Sequence, residues 1–440
     1  MPLTTADPIL APSTTPRAPL AGGRAGSGVP GVVPVATEAD LAEMRLWGVR
    51  VRRLHAGVAG SRLRTARAVG GMALVGAPRD ARAAVARYGA RVEREFGVSR
   101  ARQLADLWRL RTRYGMKADS YYSFQLYLPE RRPRWSAYMH PAGTGNVLRH
   151  LFRLWPSSER TALMNDKAYF ARWCAAHHFP VVGTLASVDA QGCALAAEAW
   201  PAVDLFTKPV LACRGQGARR WRALGPNRYV EDAGTGCDAE PVDAAGLVLA
   251  LRRQAAEAGS TVLVQPLIRN HADVLPLTRG GLATVRLVTY RLPDAPAGAL
   301  AGIFRMPRGD TPVDNFAVGG LAAPFDLATG VLGTAVTKSV DDAGRAHAVH
   351  PDTGGTIAGR VLPDWAAIVR LGLVGHDAMA ASGAPTPVVG WDIAVTDRGP
   401  VLVELNTIPC VTGTQMTTRV PLGETPYVPA LLAHLRRASR

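Results

Sequence analysis

Val388-Val389-Gly390-Trp391-Asp392-Ile393-Ala394-Val395-Thr396-Asp397-Arg398-Gly399-Pro400-Val401-Leu402-Val403-Glu404-Leu405-Asn406 is the stretch on which both fold and chemistry turn. Two apolar runs flank Asp397-Arg398-Gly399, a pattern that predicts a β-hairpin. A three-residue loop with Gly last fits a type I turn closed by a left-handed residue. That loop pairs Thr396 with Pro400, and so Asp392 with Glu404. Directly opposed residues share a sheet face, and Asn406, two on from Glu404, shares it too. Val401, Val403 and Leu405 then face a core. A two-residue turn at Asp397-Arg398 would instead send Asp392 to the opposite face. Two opposed carboxylates repel unless a hard cation lies between them. Mg²⁺ takes oxygen ligands and is typically held by one or two carboxylates plus substrate phosphates. The competing reading is an exposed polar face with a fortuitous pair.

Upstream, Asp204 to Trp221 reads as a strand bearing Lys208, a loop Arg214-Gly215-Gln216-Gly217, and a second strand. Glycines let a backbone approach a ligand and turn its N–H groups inward, as a phosphate cradle requires. Neither GxxxxGK[ST] nor GxGxxG is present, and an ordinary hairpin turn is the bland alternative. Thr261 to Ile268 is a strand ending in an irregular Pro step. It either offers main-chain groups to an adenine edge or is plain core. Ala283 to Arg291 alternates, with Arg286 between Val285 and Leu287, and a strand-borne Arg is costly to bury unless it meets an anion. Strands also read at Leu300 to Met306, and helices at Asp166 to His177, 241–258 and 363–382.

The whole chain has 440 residues, 48% hydrophobic, which suffices for two or three domains with sizeable cores. No run of 18 apolar residues predicts a membrane span, and no basic, then apolar, N-terminal pattern predicts a signal peptide. Five scattered Cys without a CxxC pair exclude a disulfide scaffold and a zinc ribbon, and suit the cytoplasm. Residues 1–36 read as a disordered tail. The net charge of +16 is concentrated: residues 1–160 carry 26 Lys and Arg against 11 Asp and Glu. This marks residues 37–160 as a basic, mainly helical region, set off from 161–437. Such a region suits an anionic substrate or membrane surface, or is simply a solvated Arg-rich layer. The contiguous aromatics Tyr121 to Tyr127 read as packing rather than as nucleic-acid stacking. Of the 51 basic residues only four are Lys: Lys117, Lys167, Lys208 and Lys338. In an Arg-rich chain, a Lys asks why a compact ammonium is wanted there, and a phosphate in a tight site is one answer.

In order along the chain, Tyr121 to Tyr127, Asn165-Asp-Lys167, Thr207-Lys208-Pro209, Arg214 to Gly217, Thr284-Val-Arg286, Asp314 to Gly320, His350 to Gly354 and the hairpin resemble the ATP-grasp superfamily, in its sugar-transfer associated branch. The resemblance implies an α+β ATP-grasp fold, two lobes clamping ATP, after the basic helical region. It implies that Lys167 and Lys208 bind ATP phosphates and that Arg214, Gly215, Gln216 and Gly217 close over them. Main chain at Gln265, Leu267 and Ile268 would take the adenine, Asp273 the ribose, and Asn315 would join the nucleotide contacts. Arg286 and Lys208 would be catalytic, and Asp392, Glu404 and Asn406 would hold Mg²⁺, with Mn²⁺ an alternative. The implied activity is ATP-dependent carboxylate–amine ligation through an acyl phosphate, on a cell-surface sugar or specialised metabolite. A phosphotransferase acting on a hydroxyl, and a non-enzymatic basic adaptor for membrane or nucleic acid, are the alternatives. Cys410 reads as structural. His350 and Asp352 either line an acceptor pocket or form a structural loop.

Overall fold

The computed structural model describes residues 34–55, 77–196, 199–211, 216–232, 240–309, 316, 319–342 and 345–439. Most of the expected tail lies outside these residues, as do Arg214, Gly215 and Asn315. Two antiparallel sheets form the body. Strands β1 (Ala186–Val188), β2 (Cys193–Leu195), β3 (Leu205–Pro209), β4 (Arg219–Gly225), β5 (Arg228–Glu231), β6 (Val242–Asp243) and β7 (Val262–Pro266) pair in the order β2-β1-β7-β3-β4-β5-β6. Strands β8 (Thr284–Tyr290), β9 (Gly298–Met306), β10 (Leu321–Phe325), β11 (Val336–Thr337), β12 (Val388–Thr396) and β13 (Gly399–Asn406) pair in the order β11-β10-β9-β8-β12-β13.

Each sheet buries one face under a helix. The helix Ala244–Ala258 starts at the Asp243 cap and ends at Gly259 in the left-handed region (φ 56°). Its Leu247, Leu251 and Ala255 join Leu205, Trp221, Val262 and Val264 in one core. The helix Trp365–Ala381 covers the six-stranded sheet, where Val285, Leu287, Phe304, Trp391, Ile393 and Leu402 are core. Gly372 allows that approach, since a Cβ there would lie 2.4 Å from Leu287 Cδ2. Period-2 alternation then leaves Arg286, Arg305, Asp392 and Glu404 on the other face. Behind them, Trp391 Nε1 donates to Thr289 Oγ1 (3.1 Å), which pairs with His376 Nδ1 (2.8 Å). His376 Nε2 meets Thr386 O at 2.9 Å. Burial holds His376 down to about 4, so it stays neutral and fixes this fully enclosed relay.

The hairpin departs from its expected turn. Thr396 pairs with Gly399, so only Asp397 and Arg398 form the turn. On a regular ladder that register would set Asp392 against Val403. A β-bulge intervenes: Ile393 pairs with Leu402 but Asp392 with Glu404, leaving Val403 as the extra residue. The carboxylates are therefore opposed as expected, but through a bulge rather than a longer loop. Leu402, not Val403, enters the core beside Ile393, and Val403 lines a cavity.

The aromatics Tyr121, Tyr122, Phe124 and Tyr127 are buried together with Met416, in keeping with packing. A further core joins the helices Glu38–His55, Pro141–Leu154 and Tyr427–Ala438 through Leu41, Val51, Leu148, Leu151, Val428 and Leu432. Among the described residues, two of the four apolar cores thus draw residues from both sides of residue 160. Among the described residues no helix is long and apolar enough to cross a membrane.

Candidate functional site

Both sheets contribute to a cavity of about 890 Å³. β3 supplies Phe206 and Lys208, and β7 supplies Gln265 and Pro266. From the other sheet come Arg286, Arg305, Asp392, Glu404 and Asn406. Lys167 arrives from the first turn of the helix Lys167–Ala176, whose cap, Asp166, accepts from the amides of Ala168 (2.8 Å) and Tyr169 (2.9 Å). Lys167 Nζ donates to Val210 O at 3.0 Å, reaching the strand end that carries Lys208.

The centre of the site is a row across three strands, Glu404 on β13, Asp392 on β12 and Arg286 on β8, each paired to the next. Arg286 grips Asp392 with two prongs, Nη2 to Oδ2 at 2.8 Å and Nε to Oδ1. Arg305 adds Nη2 to the same Oδ2 at 3.0 Å and forks onto Thr284 Oγ1 at 2.6 Å. Gly390 makes room for this grip: a Cβ there would lie 3.0 Å from Arg286 Cδ and 3.2 Å from Pro409 Cβ.

Three electrostatic consequences follow. Burial alone would raise the Asp392 carboxyl, but the charges of Arg286 and Arg305 outweigh it and hold Asp392 well below the usual carboxylate range. Glu404 goes the other way: burial, then the negative charge of Asp392, raise it. Burial lowers the Lys208 ammonium to about 8, with Glu404 partly opposing the shift and Lys167 adding to it. Asp392 is thus held ionised by the two guanidinium groups, while its neighbour Glu404 is shifted in the opposite direction.

The remaining expected residues divide. Gln216, Leu267 and Ile268 line the cavity. The Leu267 amide is already donated to Asp204 O (2.7 Å), and the Gln265 side chain to Val182 O (3.1 Å). Gly217 sits beside the cavity at φ +69° with its carbonyl bound by Gln254 Nε2 at 2.6 Å. Asp273 is exposed and not on the cavity, close to His271. His350 is buried against Pro307 O (3.1 Å), and Asp352 is clamped by Arg308 (2.8 Å) and the Gly309 amide (2.8 Å); of the two readings they form the structural loop. Cys410 caps the helix Val411–Thr418, its Sγ accepting from the Gly413 amide at 3.4 Å.

Arg305 and Lys338 line the cavity and were missed as site residues by sequence reasoning. Arg305 had a signal: Ile303-Phe304-Arg305-Met306 alternates as the Arg286 strand does. For Lys338 the only signal was the scarcity of Lys. Among the described residues no three His, Cys, Asp or Glu side chains gather as a metal site. The set at hand is two carboxylates and an amide, all oxygen donors, the composition that a hard cation favours.

Residues 149–424 match the family described as sugar-transfer associated ATP-grasp, and the chain belongs to that family. Among solved structures it is similar to D-cycloserine synthetase DcsG, at 17% identity over 67% of this chain and 79% of that one (TM-score 0.33). It is similar to D-alanine–D-alanine ligase from Bacillus anthracis at 11% identity, covering 64% and 70% (TM-score 0.34). The L-amino acid ligase from Bacillus licheniformis is similar at 12% identity, covering 66% and 53% (TM-score 0.36). Among curated proteins none matches the sequence.

Proposed function

We propose that this chain is a cytoplasmic, ATP-dependent ligase that joins a small carboxylic acid to an amine, with residues 161–437 as the catalytic unit and 37–160 as a basic flanking layer. The observation that carries the reading is the meeting, in one cavity, of Lys167, Lys208, Arg286 and Arg305 with Asp392, Glu404 and Asn406. Lys167 and Lys208 neutralise the ATP phosphates, and the loop through Arg214, Gly215, Gln216 and Gly217 closes over them. Backbone from Gln265 to Ile268 takes the base, and Asn315 adds a nucleotide contact. Asp273, off the cavity, has no part in this reading.

A carboxylate is a poor electrophile. Transfer of the γ-phosphoryl group to its oxygen releases ADP and makes phosphate the next leaving group. The amine then forms the C–N bond, the C–O bond to phosphate breaks, and the amine's extra proton passes to solvent. Such transfer needs alignment and charge neutralisation more than covalent help. Arg286 stabilises charge on the phosphoryl group and on the acyl oxyanion. Asp392, Glu404 and Asn406 fit Mg²⁺ or Mn²⁺, which when bound supplies further neutralisation of the phosphates.

The test is incubation with Mg-ATP, a panel of acids and hydroxylamine. A ligase yields a hydroxamate with stoichiometric ADP and phosphate. ADP with a phosphorylated alcohol and no hydroxamate would establish the phosphotransferase instead. Absence of nucleotide binding would leave the basic adaptor.

A further inference from the structure

Three of the four lysines, Lys167, Lys208 and Lys338, line the cavity, as do only 39 of the described residues in all. Lys167 and Lys208 are absorbed by the nucleotide; Lys338 is not. The strand order sets it apart from them. The candidate metal residues lie on β12 and β13, Arg286 on β8 and Arg305 on β9, whereas Lys338 directly follows β11, at the opposite edge of the same sheet. Register puts it on the cavity face. Arg305 pairs with Ala322 and Ala322 with Val336, and Lys338 is two residues beyond Val336. Two strand spacings, about 10 Å, separate the β9 backbone from β11.

The helix Val411–Thr418 covers this end and packs on β9 and β10, turning Gly413 and Thr414 to the cavity opposite Phe316. The Lys338 ammonium meets the Cys410 thiol at 3.7 Å and, among the described residues, makes no ion pair with a carboxylate. Its segment is anchored from outside, since Arg91 donates to Val340 O at 3.0 Å. A cation on an anchored segment, facing a compartment next to Arg305, is a complement for an anion.

We propose that Lys338 is a specificity-determining residue. It binds a second anionic group of the acid substrate, within about 12 Å of the carboxylate held near Arg305. The substrate class is therefore a compact acid with two anionic groups. This rests on the ligase reading above.

The experiment measures binding to the full chain saturated with Mg-ADP. Probes are the α,ω-dicarboxylates from succinate to azelate, each against its matching monocarboxylate. At least one diacid should bind about two- to fivefold more tightly than its monoacid, the range for a partly exposed charge pair. Lys338→Gln should bring that ratio to about one and leave Mg-ADP affinity unchanged, and Lys338→Arg should restore part of it. Mg-ADP binding with no diacid preference in the series, or a preference that survives Lys338→Gln, overturns the proposal. Failure of Mg-ADP to bind overturns the ligase reading instead.

Discussion

Lys208→Met should make the ligand-free protein more stable while abolishing its hold on nucleotide. Lys208 is set among part-buried groups where desolvation outweighs the pull of Glu404, so its ammonium titrates near 8 rather than at the ordinary 10.5. The folded state therefore gives up its proton more readily than the unfolded chain. The penalty on folding is fully present below about pH 8 and is relieved as pH climbs from about 8 to 10.5. The gap corresponds to about 3 kcal/mol at pH 7, and more than half of it is gone near pH 9.5 by the same linkage. Methionine keeps the unbranched stem without the charge, so the variant should exceed the parent by that amount at neutral pH. The assay is denaturant unfolding of both proteins between pH 6.5 and 9.5, with ADP titration alongside. Cysteines and tyrosines titrating in both proteins cancel in the difference. A variant less stable than the parent, or a difference that does not shrink with pH, would refute the reasoning. Unaltered nucleotide affinity in the variant would remove Lys208 from the phosphate site.

Glu404→Gln keeps the side-chain shape but removes a charge from the oxygen set, so Mn²⁺ binding to the ADP complex, followed by electron paramagnetic resonance, should drop severalfold. Gly390→Ala should fold but misplace Arg286, whose Cδ lies 3.0 Å from the new methyl. Loss of turnover of about a hundredfold is expected, the scale for removing one oxyanion donor, and near-parental activity in a steady-state assay would exclude that route. Asp392→Asn should destabilise the protein by about 3 kcal/mol, because Arg286 and Arg305 then lose their shared counter-charge; thermal unfolding reads it directly.

Most strands and helices were legible because their apolar periods are clean: β8 and β12 lie within a residue of the expected bounds. The hairpin was harder. Sequence favoured a three-residue loop, and the opposed carboxylates came out the same only because the bulge at Val403 offsets the shorter turn. A bulge leaves no periodic trace, since it depends on which of Leu402 and Val403 the core accepts. Asp273 was expected at the cavity but lies off it, because a position in a loop says nothing about where the loop turns. Arg305 reaches Asp392 from two strands away, a length of side chain that strand order alone brings into range. The Lys scarcity was visible from the start; that three of the four share one cavity required the fold.

One of the apolar cores joins the helix Glu38–His55 to the helix Tyr427–Ala438. During translation the earlier partner emerges some 370 residues before the later one, an interval of about 20 to 70 s at ordinary ribosomal speeds. Until then the helix Pro141–Leu154 covers only part of its apolar stripe, so nascent chains should engage holding chaperones, and fragments truncated ahead of Tyr427 should be degraded rather than accumulate.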